Sequence, residues 1–416
     1  MESNLKKHFY IFSFLLLISI ILRIFSVYYF GDKTLDNEWK ILFENFKNFG
    51  TIGINIYDGS EVFTGFATSD DRVLPSVFMP PLYLFLIIFL NFFFQNNFLI
   101  EALIFSQILF SIIASLFFFK LLNKFFKTNI SYIGFLLFLF FPINIFSVSQ
   151  ISSVSLQVLL IIVFFYLIFE FVENKTKKKL IYLSIISSAL LLLRGEFIII
   201  LIFSYLFLFF KNVHLKNILI SLSIISILIS PYVIRNLKLF NQITITKSFG
   251  FNLWKGNNLY SKSEGSEKIY NIIMQEELKK VKPNNMYEIN RDRIFKNEAI
   301  KNILSDPSRY FILYLQKIFS LMFYDKNSSY DNYYNYFHII PKLLIGLTAT
   351  SGMVLTVLKK NNLQYFSLIF LIHIFLFSVF FILPRYGLII LPIQIILSCN
   401  FFNYIMNKFE KTKKIF

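Results

Sequence analysis

Two carboxylates stand two residues apart in Asp36-Asn37-Glu38-Trp39, directly after the first long apolar segment, with Asn45 and Gly50 close behind. That spacing suits a general base with an orienting partner. An ordinary acidic loop with an interfacial Trp would look the same. Three arginines form a second group. Arg194 sits in Leu193-Arg194-Gly195-Glu196, Arg235 in Pro231-Tyr232-Val233-Ile234-Arg235-Asn236, and Arg385 in Leu383-Pro384-Arg385-Tyr386. Each lies at the edge of an apolar block, within four residues of a Pro or Gly. A guanidinium is the side chain best shaped to grip phosphate oxygens in a fork, although a single arginine there could equally snorkel to lipid headgroups. Cys399 is the only cysteine, and His8, His214, His338 and His373 are scattered, so no Cys/His metal constellation is expected.

The elements that must position these groups are membrane helices. The 416 residues are 56% hydrophobic and 16% charged, with 56 Phe and a mean hydropathy of +0.62. A water-soluble chain could not cover so much apolar surface. The net charge of +17 comes from 41 basic and 24 acidic residues. Its lysines cluster just beyond the apolar blocks, which favours the positive-inside rule over nucleic-acid binding. Ten spans are expected: Phe9–Phe30, Leu99–Phe119, Ile130–Phe146, Val154–Phe171, Leu180–Leu193, Phe197–Phe210, Ile218–Ile234, Ile339–Leu358, Leu363–Ile382 and Tyr386–Tyr404.

Placing Lys6 and Lys7 in the cytoplasm puts there Lys120/Lys124/Lys127, Lys175/Lys177/Lys178/Lys179, Lys211/Lys216, Lys359/Lys360 and Lys408/Lys411/Lys413/Lys414 as well. This holds only if two apolar stretches do not cross. Val77–Phe94 opens on Pro80-Pro81-Leu82-Tyr83, and Tyr310–Phe323 is too short and carries Gln316 and Lys317, which fits an interfacial amphipathic helix. The expected architecture is an all-α polytopic membrane protein with both termini cytoplasmic. Residues 1–234 form an N-terminal transmembrane module with an outer loop at 31–98. Residues 235–338 form a small soluble or interfacial unit on the non-cytoplasmic side. Residues 339–416 supply the last helices and a cytoplasmic tail. No phosphate-binding Gly-rich loop or ATPase motif is present.

These pieces, in this order, resemble the GT-C-type, polyprenyl-phosphate-dependent membrane glycosyltransferases. The nearest branch is the bacterial one related to protein mannosyltransferases and the lipid A aminoarabinose transferase. The resemblance is carried by Asp36-Asn37-Glu38-Trp39, by Phe78-Met79-Pro80-Pro81-Leu82-Tyr83 and by Leu193-Arg194-Gly195-Glu196. It also rests on the block from Pro231 to Asn258 and on the turn around Arg385. It implies a GT-C-like fold and sugar transfer to an acceptor hydroxyl on a glycan, lipid or protein. The setting would be the outer face of a bacterial cytoplasmic membrane, with membrane lipids around the protein. It implies Asp36 as catalytic acid/base, with Glu38 in reserve. Donor phosphate would lie on Arg194, Arg235 and Arg385, and substrate contacts would come from Trp39, Tyr83, Tyr386 and Asn257. Neither a metal nor another cofactor is implied. The segment Ser147-Val148-Ser149-Gln150-Ile151-Ser152-Ser153 departs from the pattern, because relatives commonly place a second acidic residue there. A flippase for lipid-linked sugars and a catalytically inactive relative are the alternatives.

Overall fold

A computed structural model describes residues 2–35, 38–55, 73–269, 271–325, 327–330, 332–359 and 361–413. Asp36 and Asn37, and Lys360 and Lys414 of the basic clusters, lie outside the described residues. Among those described, the chain is helical apart from one short hairpin.

Six helices are long and apolar enough to cross a membrane by length and composition: α1 (Glu2–Phe30), the C-terminal part of α3 (Leu82–Leu122), α6 (Val154–Glu173), α9 (Leu215–Phe240), α14 (Tyr336–Lys359) and α16 (Tyr386–Lys413). Four shorter ones occupy the other expected spans: α4 (Thr128–Leu139), α7 (Lys177–Leu193), α8 (Phe197–Phe210) and α15 (Gln364–Phe377). The protein is therefore an all-α polytopic membrane protein. Between α1 and α3 lie α2 (Glu38–Phe49) and the antiparallel strands β1 (Gly53–Asn55) and β2 (Val73–Pro75), with Gly53 opposite Pro75.

Three spans differ from expectation, each for a backbone reason. The stretch Val77–Phe94 is not separate, because from Leu82 it forms the first turns of the 41-residue α3. The Pro pair ends where α3 begins, with Pro81 as its N-cap, and its missing N–H groups would have had no intrahelical partner there. No Pro or Gly interrupts the helix after that. The expected span Ile130–Phe146 is instead broken at Phe140-Phe141, and α5 (Pro142–Ser147) follows, because Pro142 forces Phe141 into extended backbone. Conversely, α9 runs through Pro231 to Phe240, so Arg235 lies inside the helix rather than at its end. Pro231 cannot bond the Ile227 carbonyl, and the Ser230 hydroxyl donates to that oxygen at 2.8 Å instead.

The break after α4 leaves carbonyls at membrane depth that need donors. Asn144 donates to the Phe138 carbonyl at 3.0 Å, and Arg23 of α1 donates to the Leu139 carbonyl at 3.2 Å. Arg23 is fully buried and makes no ion pair among the described residues. Its other N–H groups go to Ser111 Oγ at 2.9 and 3.1 Å, to the Ser19 carbonyl at 3.2 Å and to the Ser19 hydroxyl. This side chain ties α1, α3 and the broken α4 together.

The two ends of the bundle differ in charge. At one end Lys124 lies 2.6 Å from both Glu170 and Glu173, Lys179 pairs with Glu170, and Lys175 donates to the Asn212 carbonyl at 2.7 Å. Helix α6 begins at Val154, at the other end, so about 30 Å separates the ends, which matches a hydrocarbon core. The arginine-bearing end carries a small helical unit of α10 (Phe249–Gly256), α11 (Ile272–Lys279), α12 (Tyr287–Ser305) and α13 (Pro307–Met322). Leu253, Trp254, Met274, Phe295 and Ala299 form its own core. It is fastened to the bundle where Asn257 donates to the Val379 carbonyl at 2.8 Å and Ile382 N to the Ser263 carbonyl at 2.8 Å.

Candidate functional site

A cavity of about 380 Å³ opens at the arginine-bearing end, between the bundle and α10. Its apolar wall includes Phe78, Met79, Val154, Ile199, Leu376 and Phe380, and its charged residues are Glu38, Arg194, Glu196, Lys255, Glu267 and Arg385. A hydrophobic trough ending in charged groups fits an amphiphile with an anionic head.

Glu38 opens α2, and Trp39 follows it, buried edge-on against Tyr83 with ring centroids 5.1 Å apart. Glu38 and Trp39 line the cavity, whereas Tyr83 stands behind Trp39 and fixes its ring. Arg194 terminates α7. One of its terminal nitrogens is 3.6 Å from Glu196 Oε1, and its guanidinium lies over the Tyr386 ring at 5.9 Å. Lys255 pairs with Glu267 and lies over the Phe381 ring at 4.6 Å. Arg385 differs from both: among the described residues its side chain has no ion pair or hydrogen bond, and its buried Nε, like that of Arg194, has no partner. It is therefore the cavity cation with the most unspent binding capacity.

Arg385 also lines a second, more polar cavity of about 320 Å³ with Asp32, Lys33, Gln150, Tyr330 and Tyr333. Ile151, Ser152 and Leu383 are common to both cavities. The loop between α5 and α6 thus stands where the two meet. Asp32 Oδ2 accepts from Ile151 N at 2.7 Å, and Gln107 Oε1 accepts from Ser152 N at 2.9 Å. This loop brings Ser152 and Ser153 to the cavity wall.

Like Tyr83, two more of the expected site residues do not line the cavity. Arg235 donates to the Ser76 and Ile52 carbonyls, both at 2.9 Å, and so clamps the hairpin to α9 without lining the cavity. Asn257 is buried, donating to the Leu253 carbonyl at 2.8 Å and accepting from Lys317 at 3.1 Å. Arg194, Arg385, Glu38, Trp39 and Tyr386 are brought together, while Asp36 lies outside the described residues. Sequence reasoning missed Asp32, Lys255 and Glu267. Asp32 had a usable signal in its place just after the C-terminal end of α1. Glu267 had none, since only the fold sets it beside Lys255. Among the described residues no group of three or more His, Cys, Asp or Glu could hold a metal ion.

Glu288 of α12 secures the cavity wall from behind. Its carboxylate accepts from Ser76 Oγ at 2.8 Å and Val77 N at 2.7 Å, just before Phe78 and Met79. Burial pushes this carboxyl up to about 7, against the opposing pull of those hydrogen bonds and of Arg235. A folded-state value above the unfolded one means stability is greatest below the unfolded value and falls as pH rises through about 7. Between pH 5.5 and 8.5 this group should cost the wild type about 2 kcal/mol. Glu288→Gln should flatten that part of the profile, as read from unfolding midpoints in detergent across the range. An unchanged slope would rule out this carboxyl as its source.

The helical membrane bundle with its helical unit at the arginine-bearing end is a GT-C-like fold. Among solved structures, the chain is similar to the apo form of the Archaeoglobus fulgidus oligosaccharyltransferase, at 12% identity and a TM-score of 0.54. The similarity covers 96% of this chain and 51% of the other, so the chain spans about half the length of that protein. No family model and no curated protein matches the sequence.

Proposed function

We propose that the protein is a membrane glycosyltransferase that moves a sugar from a polyprenyl-phosphate donor to an acceptor hydroxyl, at the non-cytoplasmic face of a bacterial inner membrane. The observation that carries this reading is Arg385, an unpaired guanidinium at the junction of an amphiphilic and a polar cavity. The prenyl chain lies along the apolar wall and the phosphate on Arg385, with Arg194 released from Glu196 as the second donor. The acceptor enters through the polar cavity. A carboxylate of the first loop, Asp36 or Glu38, takes the hydroxyl proton as the oxygen attacks the anomeric carbon. The bond from that carbon to the phosphate oxygen breaks, and the polyprenyl phosphate leaves with the electron pair and a second negative charge. Cations held against that oxygen stabilise the developing charge more than the ground state.

The test compares the envelope glycans and lipids of cells with and without the gene by mass spectrometry, and then incubates purified protein with the matching lipid-linked sugar. Loss of one sugar in the cells, and acceptor-dependent release of polyprenyl phosphate in vitro, support the proposal. Asp36→Asn should then abolish transfer without loss of folded protein. Translocation of the lipid-linked sugar with no acceptor consumed would make the protein a transporter. Binding without turnover would make it an inactive relative, the reading that the serine-lined 147–153 loop favours.

A further inference from the structure

Helix α13 exposes a largely apolar face and buries two polar side chains among Tyr310, Leu313 and Leu321. Its inner face holds Lys317, whose ammonium donates to the Gly256 carbonyl at 2.8 Å, and Ser320, whose hydroxyl donates to the Gln316 carbonyl at 2.9 Å. Its outer face is exposed along Phe311, Ile312, Leu315, Gln316 and Phe319, with Gln316 the one polar residue among them. A helix on a water-facing surface shows the opposite arrangement.

Its neighbours indicate depth. The N-terminus follows directly from α12, outside the bundle. Midway, Tyr314 donates to the Phe375 carbonyl of α15 at 3.1 Å. At the far end the Met322 carbonyl accepts from Gln394 at 3.1 Å, and Phe323 packs on Gly346, where an added Cβ would meet its ring carbon at 2.6 Å. Gln394 is about 12 Å along α16 from Tyr386, and Gly346 about 15 Å along α14 from Tyr336. The chain then returns to Tyr336, with its turn held by Glu264, which accepts from Ser329 N and Oγ at 2.8 Å each.

We propose that α13 is a re-entrant helix. It descends from the outer unit into the bilayer, reaches about half its depth at Met322–Phe323, and presents its apolar stripe to acyl chains. Lipid is the occupant because the stripe continues the exposed apolar faces of the spanning helices it touches, Phe375 on α15 and Leu344 and Leu347 on α14. Irregular backbone at that depth survives only where protein or a water-lined cavity shelters it. The irregular backbone at the tip meets this condition, with Asp325 buried, and the chain beyond it is back at the level of the polar cavity, where Tyr330 and Tyr333 line the wall and Asn327, Ser329 and Asn332 are exposed. The inference is independent of which reaction the protein performs.

Nitroxide labels at Phe311→Cys, Leu315→Cys and Phe319→Cys, in a Cys399→Ser background and in liposomes, test it. The readout is collision with dissolved oxygen against collision with a water-soluble nickel chelate. Depth should increase from 311 through 315 to 319, with about 12 Å between the ends. One shallow depth for all three labels would mean a helix lying in the interface plane, and nickel access throughout would mean a water-facing helix. Either overturns the proposal. If the Phe319 variant fails to fold, the comparison of 311 with 315, about 6 Å apart in depth, decides the matter.

Discussion

Arg385→Ala should lower kcat/KM for sugar transfer by about 10²- to 10³-fold, the usual effect of removing one preorganised donor from a developing oxyanion. The expectation rests on its isolation. Arg194 and Lys255 each have a carboxylate partner in the same cavity, so part of their charge is already compensated, whereas Arg385 has none among the described residues. Arg194→Ala should therefore cost less, because it also frees Glu196. Arg385→Lys should recover only part of the activity, since an ammonium lacks the forked geometry. Initial rates of reconstituted protein, with melting curves to confirm folding, check the order. Equal losses for the two alanine variants would remove the case for Arg385, and rates within threefold of wild type would remove Arg385 from the site.

Gly352→Leu should yield no folded protein in the membrane, and Gly352→Ala should lose about 2–4 kcal/mol. Helices α14 and α16 cross at this position so closely that a Cβ on Gly352 would overlap the Leu397 carbonyl. Small residues at such crossings allow the backbone contact that holds membrane helices together. The obstacle is backbone, so no rotamer change relieves it. Gly195 is the control, because a Cβ there meets only Thr246 Oγ1, at 3.2 Å, and Gly195→Ala should cost less than about 1 kcal/mol. Thermal melts of the purified variants separate the two cases. Similar midpoints would show that the α14–α16 crossing is looser than described.

What the sequence made legible was whatever depends on runs of residue type. Ten apolar segments, the lysines beyond them and the Pro pair before α3 could all be placed without coordinates. Less legible were features that depend on which atoms meet. Arg235 and Arg385 look alike in sequence, each next to a Pro-marked turn, yet one is spent on two carbonyls of the hairpin region and the other faces a cavity. Asn257 sits in the block from Pro231 to Asn258 but caps a helix and anchors Lys317. The apolar run at 77–94 read as a separate stretch because nothing in it announces that α3 continues for 41 residues. Helix α13 looked amphipathic, but the pattern alone could not say which face meets lipid.

Arg23 bears on how the protein is made. Helix α1 leaves the ribosome before α3 and α4, carrying a guanidinium whose partners Ser111 and Leu139 lie 88 and 116 residues downstream. Until α3 and α4 follow, an arginine within a spanning helix costs about 2.5–3.5 kcal/mol, eased by reaching towards the nearer interface, about 10 Å away beyond Phe30. The first helix must therefore wait in a provisional position and settle only when later ones arrive. Docking of α1 thus follows the arrival of later helices, and a chain truncated before α3 should keep α1 inserted but undocked.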